Sequence, residues 1–155
     1  MDNTSARIDS ASLLINASAP VIYHAFLNPG AVAAWRPPSG MTCKVYSFDP
    51  RVGGGYRMAF RYRDEAIAGK TSKNEDVFEG KFVQLIPDIL IVEEVVFESE
   101  DPAFSGTMTI STRFIPDKKG TVVLVEASNV PSGIDPKDHH DGMLSSLQNL
   151  AAFLE

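Results

Sequence analysis

Residues 135–155, DPKDHHDGMLSSLQNLAAFLE, decide how the rest of the chain is read. Asp135 suits an N-cap, Pro136 the first helical position, and Asp138 follows three residues after the cap. Met143, Leu147, Leu150, Ala151 and Leu154 recur at helical spacing and form one apolar stripe. The pattern predicts a long helix at the end of the chain. Such a stripe must be buried against something, and what precedes it is mostly strand-like.

Working back from that helix, the apolar period changes from about 3.6 residues to about 2. Residues 121–127 (TVVLVEA) and 107–115 (TMTISTRFI) flank a hairpin turn at 116–120 (PDKKG). The 107–115 stretch puts Met108, Ile110, Thr112 and Phe114 on one face. Residues 89–98 (ILIVEEVVFE) and 77–86 (VFEGKFVQLI) flank a turn at Pro87-Asp88, with Phe78, Gly80 and Phe82 together on one face. Tyr56, Met58, Phe60 and Tyr62 alternate with Arg57, Ala59 and Arg61, a strong signal for a half-buried strand. Residues 43–49 (CKVYSFD) alternate as well, with Val45 and Cys43 facing in. The first forty residues differ. A strand at 11–16 leads to a helix capped by Ser18, whose inward face is Val21, Ile22, Ala25 and Phe26. A second short helix at 30–35 stops before Pro37-Pro38, because a residue preceding proline is pushed out of helical space. Residues 1–9 are expected to form a flexible tail.

The order is strand, two helices, six strands, helix. Strands joined by short turns pair antiparallel. The expected class is α+β, a curved antiparallel sheet of about seven strands wrapped around the C-terminal helix, in one domain over 1–155. A cavity between sheet and helix is the natural small-molecule site.

Composition narrows the partners. The 155 residues carry a net charge of -6, which argues against a general nucleic-acid binder. Arg57, Arg61 and Arg63 read as a solvated strand face. Cys43 is the only cysteine, so neither an intrachain disulfide nor a cysteine-rich metal site is expected. No stretch approaches the roughly 20 apolar residues of a membrane span, and the N-terminus lacks a secretory pattern, so a cytoplasmic protein is expected.

Several segments resemble a known family. They are Trp35-Arg36-Pro37-Pro38, the run DPRVGGGYRM from Asp49, the run FEGKFVQLIP from Phe78, and DGMLSSL from Asp141 with Leu150 and Ala151. Together they resemble the START-related helix-grip superfamily, in the branch homologous to the C-terminal domain of the heat-shock protein 90 ATPase activator. The resemblance spans about residues 10–155. It implies a seven-stranded sheet gripping the C-terminal helix. Superfamily members bind lipids, hormones and polyketides, and a few cyclise or hydrolyse them. Where the family pattern often has Trp, this chain has Met143. Likeness to the chaperone activator does not by itself imply chaperone activation.

No catalytic motif stands out. Gly53-Gly54-Gly55 precedes a strand rather than a helix and reads as a turn or bulge device. His139 and His140 are neighbours about 100° apart on a helix and do not face one metal well; no metal or cofactor is expected. His140, three residues before Met143 and seven before Leu147, is the better candidate for a cavity rim. Glu93 is the sharpest polar candidate. Alternation groups it with Ile91, Val95 and Phe97, so it faces an apolar cavity if the Phe97 face is concave, and faces outward if a bulge reverses it. Burial there would cost free energy unless the carboxylate is paired. Arg113 could pair with it only through a bulge. Trp35, Tyr56, Met58, Phe60, Phe78, Phe82, Phe97, Met108, Met143 and Leu147 are the expected apolar lining, with the Tyr56 hydroxyl available to orient a ligand.

The first functional expectation is therefore a binder of a small apolar or amphipathic molecule. The second is a protein-interaction module, a chaperone cofactor or a homodimer, with Trp35 and Pro37-Pro38 as an exposed apolar patch. The third is a cyclase- or hydrolase-type enzyme using Glu93 or His140.

Overall fold

Strands form where the two-residue alternation dominates, and the long helix forms where capping residues precede the apolar stripe. The computed structural model describes residues 7–72 and 74–155. In chain order the elements are β1 (Ile8–Ile15), α1 (Ala19–Phe26), α2 (Pro29–Trp35), β2 (Met41–Phe48), β3 (Gly55–Tyr62), β4 (Glu75–Ile86), β5 (Leu90–Phe97), β6 (Met108–Asp117), β7 (Gly120–Ser128) and α3 (Pro136–Leu154). A single 3₁₀ turn, Pro102–Phe104, lies between β5 and β6.

All seven strands join one antiparallel sheet in the order β1-β7-β6-β5-β4-β3-β2. Six consecutive strands, β2 to β7, pair in sequence order as an antiparallel meander. β1 comes in from the start of the chain and covers the free edge of β7. Register shifts at Val45/Ser47 in the β2–β3 pair and at Phe82/Gln84 in the β4–β5 pair are bulges. Bulges add local twist and bend, and the sheet curls into a half-barrel. The helices span the open side: α3 packs on β1 and on α2, and α2 packs on β2. Both edge strands are thereby joined through helices.

The cap of α3 forms as its sequence predicts. The Asp138 amide donates to Asp135 Oδ2 at 3.0 Å. Leu147 and Leu150 are fully buried against the sheet, each contributing about 2 kcal/mol of apolar burial. Two local expectations need correction. Residues 1–6 of the expected tail lie outside the described residues, but Ile8 and Asp9 belong to β1. Pairing with β7 orders them, where the sequence pattern alone started the strand at Ala11. In α1, Val21 is 49% exposed and Tyr23 takes its place in the core, where its ring meets Phe114 edge-on. No helix among the described residues is long and apolar enough to cross a membrane.

Candidate functional site

A cavity of about 460 Å³ lies between the concave sheet face and α3, within the range of small-molecule sites. Its apolar wall includes Phe60, Phe78, Val95, Phe97, Met108 and Ile110 from the sheet, Trp35 from α2, and Met143 and Leu147 from α3. Three of the expected lining residues, Tyr56, Met58 and Phe82, sit one layer back in the core rather than on the cavity surface. Tyr56 packs edge-on against Phe78 and Phe82.

Glu93 lines this cavity and is 1% exposed. The bulge in the β4–β5 pair interrupts β4 after Phe82, while β5 pairs in unbroken register with β6. The alternation of β5 therefore holds, and Glu93 faces inward with Ile91 and Val95. Its charge is paired. Arg36 Nη1 donates to Glu93 Oε1 at 3.1 Å, and the Tyr56 hydroxyl donates to the same oxygen at 2.5 Å. Arg36 Nη2 in turn donates to Tyr56 Oη at 3.1 Å, and the guanidinium lies 5.2 Å from the Tyr56 ring centroid. Burial opposes the charge on Arg36, but the facing carboxylate and hydroxyl outweigh it and hold its pKa above the ordinary arginine value. Burial pushes the Tyr56 hydroxyl well above the usual phenol range, so it stays a donor. Among the described residues no group donates to Glu93 Oε2.

Two features of the sequence place this cluster. Tyr56 faces Gly80 across the β3–β4 pair. A Cβ on Gly80 would fall 2.1 Å from Tyr56 Cζ, so only glycine there lets the ring lie flat across β4 toward Glu93. Arg36 is held through its main chain by α3. Ser146 Oγ donates to Arg36 O at 2.6 Å, Asn149 Nδ2 to Pro37 O at 2.9 Å, and the Ser39 amide donates to Ser145 Oγ at 2.9 Å. The polar residues of the helix thus fix the segment that pairs with Glu93.

A second polar cluster borders the cavity at the start of α3. His139 lines it, and its side chain is 16% exposed. His139 Nδ1 meets Asp9 Oδ2 at 2.8 Å, and Arg7 donates to both oxygens of Asp9 at 3.0 and 2.7 Å. Burial lowers the His139 pKa below its ordinary value, against the pull of Asp9. The Arg7 guanidinium holds the Asp9 carboxyl below the usual carboxylate range. Nearby, Lys70 donates to buried Asp76 and lies over the Phe97 ring.

Several sequence expectations are corrected here. His140 is exposed, and its Nδ1 meets Ser10 O on β1; His139 takes the cavity position. Arg36, not Arg113, is the partner of Glu93. The Tyr56 hydroxyl is committed to Glu93 and Arg36 rather than left for a ligand. Trp35 is 3% exposed and donates from Nε1 to Ala25 O at 2.9 Å, and Pro37 is buried, so the two do not form an exposed patch. Arg57 and Arg61 do lie on the solvated face, paired with Glu98 and Glu75. Burial raises the Cys43 thiol to about 11, which suits its packing against the core.

A curled antiparallel sheet closed by a C-terminal helix over an internal cavity defines the helix-grip class of proteins. Residues 16–155 match the family described as activator of Hsp90 ATPase homolog 1-like protein, and the chain belongs to that family. A crystal structure of a Chromobacterium violaceum protein is similar at 30% identity, covering 96% of each chain with a TM-score of 0.84. An AHSA1-like protein from Aeromonas hydrophila, at 16% identity, covers 96% of this chain and 92% of its own with a TM-score of 0.71, and shares the fold. No curated protein matches the sequence.

Proposed function

We propose that this protein binds a small amphipathic molecule in the cavity between the sheet and α3, with Glu93 as the polar anchor. One observation carries the reading: a carboxylate 1% exposed lines an apolar cavity and keeps one oxygen without a protein donor among the described residues. Buried polar atoms are ordinarily satisfied, and each exception calls for an explanation. Here a ligand hydroxyl or amine would supply the missing donor. The aromatic and methionine wall would take the ligand's apolar body, and methionine adapts readily to irregular shapes. The carboxylate is held by groups from α2's end and β3, so the anchor is in place before any ligand arrives. Family membership is compatible with this reading and does not choose the ligand.

Thermal unfolding with decanol, dodecanol and naphthol tests the proposal. A ligand that binds only the folded state adds about 2.7 kcal/mol at roughly a hundredfold excess over Kd, a clear rise in Tm. Glu93→Gln should weaken decanol binding about three- to tenfold, since hydrogen bonds to a charged acceptor are the stronger ones. Absence of any shift across these alcohols and a wider lipid and aromatic panel would overturn the proposal.

A further inference from the structure

The Asp9–His139 pair has no part in anchoring a ligand at Glu93, yet it borders the same cavity. We infer that it is a second ligand-binding pole: Asp9 fixes His139 so that its Nε2 accepts a hydrogen bond from the far end of the ligand, which is therefore a neutral amphiphile with donors at both ends. This rests on the ligand-binding reading given above.

The geometry runs as a relay of fixed roles. Arg7 donates from Nε to Asp9 Oδ1 and from Nη2 to Oδ2, and Nη2 also donates to Ile134 O just before α3. Asp9 is thereby locked in place and is 7% exposed. An ionised carboxylate only accepts, so the proton shared with His139 sits on Nδ1. In the neutral imidazole Nε2 is then an acceptor. Among the described residues nothing donates to it. Three charged groups bear on His139 from the elements packed around it. Asp9 favours its protonation, whereas Arg7 and Lys70 oppose it. Burial opposes it most strongly of all, which keeps the acceptor form.

Charge decides the ligand class. The cavity lining includes four carboxylates, Asp76, Glu93, Asp135 and Asp138, against two cations, Arg36 and Lys70. Both cations are already committed, Arg36 to Glu93 and Tyr56, and Lys70 to Asp76. Among the described residues no lining cation is left unpaired to receive a ligand carboxylate or phosphate. Glu93 Oε2 and His139 Nε2, which lack partners among the described residues, are both acceptors, and the lining hydroxyls of Thr112 and Tyr62 can donate or accept. A diol, a diphenol or an amino alcohol fits this pattern, and a fatty acid does not.

The test uses alkanediols with terminal hydroxyls, of octane, decane and dodecane length, against their monomethyl ethers. Calorimetric titration of the wild-type protein should favour the best-fitting diol over its ether about three- to tenfold. His139→Phe should erase that preference. Asp9→Asn should shrink it. Both Asp9 oxygens accept from Arg7 and one also meets His139, so an amide in their place no longer fixes the proton on Nδ1, and an Nε2–H would serve diol and ether alike. If diols and ethers bind wild type equally, this inference is overturned and the Glu93 anchor stands. If neither binds, the ligand reading fails and takes this one with it. Should both variants fail to fold, ¹⁵N spectra of wild-type His139 decide: Nδ1–H with bare Nε2 supports the pole, and Nε2–H overturns it.

Discussion

The two arginine–carboxylate clusters of the cavity are built in opposite ways. Glu93, on a central strand, is held by Arg36 and Tyr56, residues 57 and 37 positions away in sequence. Asp9, on an edge strand, is held by Arg7, two residues before it, and by His139. The first is assembled only when helix, sheet and C-terminal helix have all docked. The second needs one strand and the first turn of α3. The inner cluster contains an arginine and a phenol whose pKa values are raised, so its hydrogen-bond roles are fixed. The outer one contains a histidine whose pKa burial lowers below the ordinary value, so it changes its role only on acidification. Depth and distance in sequence thus separate a fixed anchor from an adjustable one.

The largest break in this contrast should come from Arg36→Ala. Removing one partner of a buried ion pair leaves the other uncompensated, a loss of about 3–5 kcal/mol. Urea denaturation should show it as a fall in midpoint with an unchanged slope. Tyr56→Phe removes one donor from Glu93 and one acceptor from Arg36, with a smaller expected loss of about 1–3 kcal/mol. A variant as stable as wild type would show that the hydroxyl is not part of the anchor.

The outer cluster should show itself in pH rather than in raw stability. The folded His139 pKa is depressed below 6.5. Its contribution is then fully present above the unfolded value and is lost as pH falls through 6.5 toward the folded value. The folded Asp9 pKa is depressed below 3.8, so its contribution is present above that value and is lost as pH falls through the folded one. Thermal midpoints of wild type and His139→Phe should therefore diverge between mildly acidic and neutral pH, with only wild type losing stability on acidification. Parallel curves would place His139 outside the titrating set.

The same contrast governs what could be read from the sequence. Strand and helix order was legible because the strands keep their alternation apart from single bulges in β2 and β4, and α3 has an uninterrupted stripe. Glu93 was legible for the same reason, since the bulge falls on β4 after Phe82 and leaves β5 regular. Its partner was not. Arg36 ends a short helix before two prolines, and nothing local says which way its side chain turns; the contacts that fix it come from Ser146 and Asn149 on α3. The choice between the histidines failed on spacing. His139 lies four and eight residues before Met143 and Leu147, and His140 three and seven, so both fit the stripe. Asp9 breaks the tie, and Asp9 was hidden in what reads as a tail. Gly80 carried a signal that packing alone explains, a missing side chain on an inward strand face where a tyrosine ring must lie.

The most direct test of the cavity is a titration of methyl-¹³C-methionine protein with decanediol. Met108 and Met143 line the cavity, while Met58 lies buried one layer behind it. The account predicts large methyl shifts at Met108 and Met143, a small one at Met58, and clearly smaller shifts in Glu93→Gln at the concentration that half-saturates wild type. Unmoved Met108 and Met143 methyls at saturating diol would contradict it.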